Sequence, residues 1–393
     1  MRAFGRWLAD WPIVVFVLGG VLALPFYKAA DVRAKFIGDH PLPVDGTLTL
    51  LLVALAVSVF SVLRRSHVWA DPARLTWDDT GDRDRPITRR LLGALAVRAA
   101  VVGYLFAAGG VVLGWPDLVL SVALVLAAGV FAYRRAARPA HPAELAAPFL
   151  LVAASIAPQW TAWLVVGVLA AAAIPGRGLL ARRDELVRGW NAKVLRSVSA
   201  AFGDVLALLP AARPVRLRLT STARLVLAGV AARRSALPSA LLIALVVPLL
   251  HRLFPVVDPG WLTGVGGYLV LVPLAGGLSE VVRVAGLRRW VPASTRALKL
   301  TTTGVLTAVG LAWVALTVLF GLPVAPRVES LTALLAAWAA VRTATRPDID
   351  YASAVAVDAG GLYVPVGLAR QLVRGPDLLL FGLLVLNAYF HSS

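Results

Sequence analysis

The densest chemistry in the chain lies between His67 and Arg90. There H-V-W-A-D-P-A-R-L-T-W-D-D-T-G-D-R-D-R-P-I-T-R-R gathers Asp78, Asp79, Asp82 and Asp84 around Arg83 and Arg85. Carboxylates at this spacing are hard oxygen ligands and could in principle hold Mg²⁺ on a phosphorylated lipid, the chemistry of a lipid-modifying membrane enzyme. The arginines threaded between them argue for internal ion pairing instead. His40, His67, His141, His251 and His391 lack i, i+4 spacing and neighbouring carboxylates, so no metal centre is expected. Without cysteine the chain has no disulfides, thiol catalysis or Cys-based metal sites. It also lacks G-x-x-x-x-G-K-[ST], and any Gly-Lys dipeptide, so it cannot cradle a nucleotide phosphate in a Walker A loop.

A second polar stretch, E-V-V-R-V-A-G-L-R-R-W-V-P-A-S-T-R-A-L-K, runs from Glu280 to Lys299. Arg283, Arg288, Arg289 and Arg296 give it a basic edge, and Leu287, Trp290 and Val291 an apolar one, broken at Pro292. In the first stretch Pro72 suits a helix start, and Leu75 and Trp77 form the apolar edge. Either stretch alone reads equally well as a solvated loop anchored by Trp. Their equivalent placement, each after a pair of apolar spans, favours a functional reading.

The elements that must carry these stretches belong in a bilayer. Apolar residues make up 59% of the chain, charged residues 15%, and mean hydropathy is +0.79. Many uninterrupted apolar runs approach the roughly 20 residues that cross about 30 Å of hydrocarbon. The fold class expected is an all-α polytopic membrane protein. About eleven spans are expected, over residues 12–27, 47–63, 91–113, 118–133, 144–157, 161–174, 237–254, 261–278, 301–320, 328–341 and 376–390. The fifth, sixth and tenth runs are short enough to be tilted or re-entrant.

With the amino terminus inside, only Lys28, Arg33, Lys35, Arg252 and Arg327 fall outside, and Arg98 lies within a span near enough to the inner surface to snorkel. The net charge of +18 is then a topological signal whose counterpart is anionic lipid, with no nucleic acid partner expected. The amino-terminal M-R-A-F-G-R-W-L-A-D-W, with Arg2, Arg6, Trp7 and Trp11, reads as a short amphipathic helix in the inner headgroup layer. Residues 1–175 form a first half, 176–235 an amphipathic connector with a Pro-containing turn at Ala212 to Pro214, and 236–393 a second half. High Ala, Arg and Gly with only four lysines suggests a GC-rich bacterial genome, and so a bacterial cytoplasmic membrane.

This order is similar to the membrane subunits of ABC-2 type exporters: amphipathic helix, two spans, a short element bearing W-x-x-x-x-x-R-x-R-P-x-x-R-R-L, then further spans. In particular it resembles the actinobacterial ones with both halves fused in one chain. The resemblance implies coupling helices, near 70–88 and 282–297, that dock on ATPase subunits. Those helices would present Trp77, Asp78, Asp79, Asp82, Arg83, Asp84 and Arg85 in the first half, and Arg288, Arg289, Trp290 and Arg296 in the second. It implies two nucleotide-binding partner subunits per chain that carry ATP and Mg²⁺, with no cofactor in this chain. The segment Arg346 to Arg374 departs from that pattern and is expected to be a loop or to enter the bilayer through G-G-L-Y-V-P-V-G-L.

Two rival functions remain. An ion-coupled secondary transporter usually keeps a carboxylate inside the hydrocarbon, whereas Asp117, Glu144, Glu280 and Glu329 sit at span ends. A membrane enzyme needs polar groups clustered at one depth, and none is evident. A cavity lined by Leu, Val and Ala with Tyr104, Trp313 and Trp338 would accept an amphipathic or lipophilic cargo such as a peptide natural product or drug, although such residues more often pack helices. Trp115, Trp160, Trp163 and Trp261 read as interfacial anchors.

Overall fold

The structure is a computed structural model that describes residues 19–41, 45–77, 84–138, 141–174, 183–201, 212, 215, 221–283, 285–291, 293–323, 326–347, 356–359, 362–365 and 373–391. Among the described residues the chain is helical apart from one two-stranded ribbon. Six helices among the described residues are long and apolar enough to cross a membrane, which points to a multi-pass membrane protein. The amino-terminal amphipathic segment lies outside the described residues, as do residues 12–18 of the first expected span, while residues 19–27 are helical. The chain divides into two compact units, Met1–Gly189 with Arg252–Val256, and Trp190–His251 with Val257–Ser393.

The first unit contains α1 (Ala29–Phe36), α2 (Gly46–Leu63), α3 (Pro72–Trp77), α4 (Asp84–Leu113), α5 (Leu118–Ala136), a 3-10 turn (Pro142–Leu145), α6 (Ala146–Ala154), α7 (Trp160–Ala173) and the start of α8 (Arg183–Ala201). Helix α2, G-T-L-T-L-L-L-V-A-L-A-V-S-V-F-S-V-L, is apolar all round, the pattern of a helix enclosed on every side. It packs against α4, α5 and α6. Its start is tied to the end of α4, where Thr47 Oγ1 donates to the Gly114 carbonyl at 2.6 Å, so the two helices run antiparallel. Helix α4 instead leaves Leu92, Val97 and Val101 exposed, an apolar surface suited to lipid. Helix α5 begins at Asp117, whose carboxylate accepts from the Val119 and Leu120 amides at 2.8 and 3.3 Å, an N-cap.

Helices α6 and α7 form a hairpin whose tip is held by hydroxyls: Ser155 Oγ donates to the Val152 carbonyl, and Thr161 Oγ1 to that of Pro158. At about 1.5 Å per residue, the 14 residues of α7 fall short of the full hydrocarbon thickness. Trp160 and Trp163 stand exposed at its first turn.

The second unit contains the rest of α8, α9 (Thr222–Ala232), α10 (Leu237–Leu253) as far as His251, α11 (Pro259–Arg283), α12 (Ala285–Trp290), α13 (Thr295–Leu319), α14 (Pro326–Ala344), strands β1 (Ala356–Ala359) and β2 (Leu362–Pro365), and α15 (Pro376–His391). Helices α11 and α14 pack side by side and in parallel. A side chain on Gly260 would meet Val328, and one on Gly267 would touch Ala336, so the match advances in the same direction along both helices. Small residues let the two backbones approach closely, the usual way helices pack in lipid. Helix α13 completes the layer, with Gly310 against Leu271 and Ala333.

Two elements differ from the sequence expectation. Helix α9 falls inside the connector, which reads as amphipathic and polar. Here T-A-R-L-V-L-A-G-V-A-A is a short apolar helix, capped by Ser221 and packed on α11 and α13, with Gly229 and Gly277 in backbone contact. Within the segment expected to be a loop or re-entrant, residues 356–359 and 362–365 form a β-ribbon, paired antiparallel from Ala356 opposite Pro365 to Ala359 opposite Leu362. Gly360 and Gly361 stand between the strands, the composition that two-residue hairpin loops favour.

Candidate functional site

The two Trp- and Arg-rich stretches each contribute a six-residue helix between long apolar helices. Helix α3, P-A-R-L-T-W, lies between α2 and α4, and helix α12, A-G-L-R-R-W, between α11 and α13. Both end on a tryptophan. The first helix sits earlier than the Trp77 to Arg85 charges imply, because Pro72 opens it. Of the charged cluster, Asp78, Asp79, Asp82 and Arg83 lie outside the described residues, as do the side chains of Trp77 and Asp84. Arg85 is exposed in the first turn of α4.

Helix α3 is fixed from below by a small core of Val68, Leu75, Ile87 and Leu186. Leu75 therefore turns inward, and Leu186 brings the start of α8 under the stretch. The Ala70 amide donates to the Leu186 carbonyl at 3.3 Å, and Gly189 packs so tightly on the Val68 carbonyl that no Cβ fits. The Arg90 guanidinium lies 3.7 Å from the centroid of the Trp69 ring and donates to the Trp69 carbonyl at 2.6 Å. A cation over a tryptophan face holds the return of the chain into α4.

In the second unit Arg288 turns back on its own loop. Its Nη1 donates to the Val291 carbonyl at 2.9 Å and its Nη2 lies 3.5 Å from Thr295 Oγ1. Arg289 and Arg296 are exposed, and the Trp290 side chain lies outside the described residues. Thus Arg288 braces the turn while Arg289 and Arg296 face outward.

An ion pair flanks each stretch. Arg65 follows α2 and donates to the Glu144 carboxylate at 2.6 Å, with Glu144 buried at the head of α6. In the second unit Arg233, buried after α9, pairs with Glu280 near the end of α11 and lies over Gly276. Sequence reading placed both glutamates at span ends but could not pair them. The only available signal was an arginine next to each helix end. On α8 the exposed Arg188 donates to Asp184 at 2.6 Å, which holds that carboxyl below its usual range.

Of the three aromatic residues expected at a cavity, Tyr104 belongs to the first unit and Trp313 and Trp338 to the second. Tyr104, in the first unit, donates to the Leu22 carbonyl at 2.8 Å. Trp313, in the second, is buried, donates from Nε1 to the Ala240 carbonyl at 3.0 Å, and fills the space over Gly266. Trp338 on α14 is exposed. Among the described residues no three His, Asp or Glu side chains gather as a metal site would need. No family model, curated protein or solved structure matches the chain.

Proposed function

We propose that this chain is the membrane permease subunit of an ABC-2 type exporter, with two tandem half-bundles of about eleven spans in all and its amino terminus in the cytoplasm of a bacterium. The observation that carries the reading is the repeated short helix: α3 and α12 stand between long apolar helices in the two units and each ends on Trp. The small core under α3 and the Arg288 brace supply the rigidity that a coupling element needs in order to transmit force.

On this reading Trp77, Asp78, Asp79, Asp82, Arg83, Asp84 and Arg85, together with Arg288, Arg289, Trp290 and Arg296, face two separate nucleotide-binding subunits. Those partners bind ATP and Mg²⁺. Their closure tilts one half-bundle against the other as a rigid body and alternates access to an amphipathic or lipophilic substrate. The test is a mild-detergent pull-down of the tagged chain from its native host, with mass spectrometry and an ATPase assay. A co-purifying subunit with a Walker A motif is expected. A chain that purifies alone and without ATPase activity overturns the reading.

A second reading, ion-coupled transport, draws on Glu329. Its carboxylate is buried in the first turn of α14 beside Thr332 Oγ1 at 3.4 Å. A buried carboxylate in a membrane protein is costly and is commonly kept for coupling. Loss of a proton-driven flux in Glu329→Gln, with no ATPase partner found, would select this reading.

A further inference from the structure

Arg98 sits midway along α4, a helix otherwise apolar from Leu91 onward. Its guanidinium reaches across to the last turn of α2, where Nε donates to Ser61 Oγ at 2.6 Å. Nη1 donates to the Ala94 carbonyl at 2.8 Å, and Nη2 lies 3.3 Å from His67 Nε2. Every one of these partners is neutral when His67 accepts. Among the described residues no carboxylate pairs with Arg98.

A guanidinium held level with the final turn of a spanning helix lies at headgroup depth. An unneutralised cation there, partly open to the surroundings, is completed by an anion. Below it the surface is apolar. Val97 is 65% exposed, Val101 53%, and Val57, one turn before Ser61 on α2, 49%. A cation above exposed valines on two adjacent helices matches the anatomy of a phospholipid, phosphate above and acyl chains below.

We propose that Arg98, with His67 beside it, holds the phosphate of an anionic phospholipid whose acyl chains lie on Val57, Val97 and Val101. Ser61 and Ala94 orient the guanidinium so that its remaining donor edge faces the headgroup. This rests on α2 and α4 being membrane spans and not on the exporter reading. The orientation proposed above places the lipid in the inner leaflet. A bound anionic lipid here would couple the lipid charge of the membrane to the α2–α4 packing next to the first short helix.

The test uses the purified, delipidated full chain in mild detergent, followed by native mass spectrometry. Dioleoylphosphatidylglycerol and dioleoylphosphatidylcholine are titrated in parallel, with inorganic phosphate as competitor. Phosphatidylglycerol is expected to bind about tenfold more tightly, because the choline ammonium of phosphatidylcholine neutralises the phosphate that both lipids carry. Arg98→Gln should remove that preference, and Arg98→Lys should keep part of it. Val97→Ser should weaken both lipids while leaving their ratio unchanged, and Arg327→Gln, on an exposed arginine of α14, should change neither. Equal binding of the two lipids by the parent chain overturns the proposal. So does displacement of the lipid by millimolar inorganic phosphate, which would mark a site for a free anion. An Arg98→Gln chain that folds and keeps its preference overturns it as well. If that variant does not fold, the parent titration and Val97→Ser still decide.

Discussion

Arg65 joins the Glu144 carboxylate at 2.6 Å across 79 residues of chain, and the same side chain donates to the carbonyls of Leu63, Arg135 and Arg138. One guanidinium thereby ties the end of α2 to the end of α5 and the head of α6. Arg65 adopts a positive φ of 53° to make these contacts, a conformation that non-glycine residues rarely hold without compensation.

Removing either partner strands a buried charge. Arg65→Met is expected to destabilise the folded chain by about 3–5 kcal/mol, and Glu144→Gln by less, because an amide oxygen still accepts. The Arg65→Met, Glu144→Leu double variant should recover part of the loss. Thermal unfolding in detergent of all three variants and the parent gives the coupling. Strict additivity would show that the pair does not act as a unit.

Gly375 occupies the turn before α15 at φ 115°, and a Cβ there would collide with Thr343 Oγ1 and approach the Ala339 carbonyl to 3.0 Å. Its amide also donates to Asp377 at 2.7 Å, and Asp377 in turn accepts from Arg342 at 2.9 Å. Gly375→Ala should therefore cost about 1–3 kcal/mol from backbone strain alone, plus the clash. The expected result is a lower midpoint of thermal unfolding and a weaker Arg342–Asp377 tether. An unchanged midpoint would mean that α15 docks without this turn.

The long apolar helices were legible because length and apolarity are local properties: α2, α4, α5, α10, α11 and α13 fall where runs near the bilayer thickness occur. The Pro72 start of α3 was legible too. The Arg65–Glu144 and Arg233–Glu280 pairs were not, since nothing in a single sequence joins residues so far apart. Helix α9 was hidden because Arg224, Arg233 and Arg234 mask a short apolar core whose value lies in packing on α11 and α13. The β-ribbon was hidden for a related reason. Alternating Val, Leu and Tyr beside Gly-Gly carries a period too short to stand out against the surrounding apolar runs.

Trp313 and Trp338 offer a direct contrast between packing and recognition. Trp313→Phe keeps a single aromatic ring but loses the pyrrole part of the indole with its hydrogen bond to Ala240, and is expected to cost about 1–3 kcal/mol with no change in which substrates protect the chain from thermal unfolding. Trp338→Ala, on an exposed ring, should leave stability within about 0.5 kcal/mol. A substrate-dependent shift in Trp313→Phe at unchanged stability would instead place that ring in a binding cavity.

The second short helix separates its arginines by task, and that separation can be measured. Arg289 faces outward, whereas Arg288 is engaged with Val291 in its own turn. Arg289→Glu, or Arg296→Glu at the start of α13, should leave the unfolding midpoint of the isolated chain unchanged and sharply reduce recovery of an ATPase partner in pull-downs, because reversed charge at a docking face costs association. Arg288→Ala should do the opposite at first, lowering the unfolding midpoint by loosening the turn, with partner recovery falling only as that turn disorders. If Arg289→Glu and Arg296→Glu both retain the partner at parental yield, the basic edge of this stretch takes no part in docking, and its arginines serve the lipid headgroup region instead.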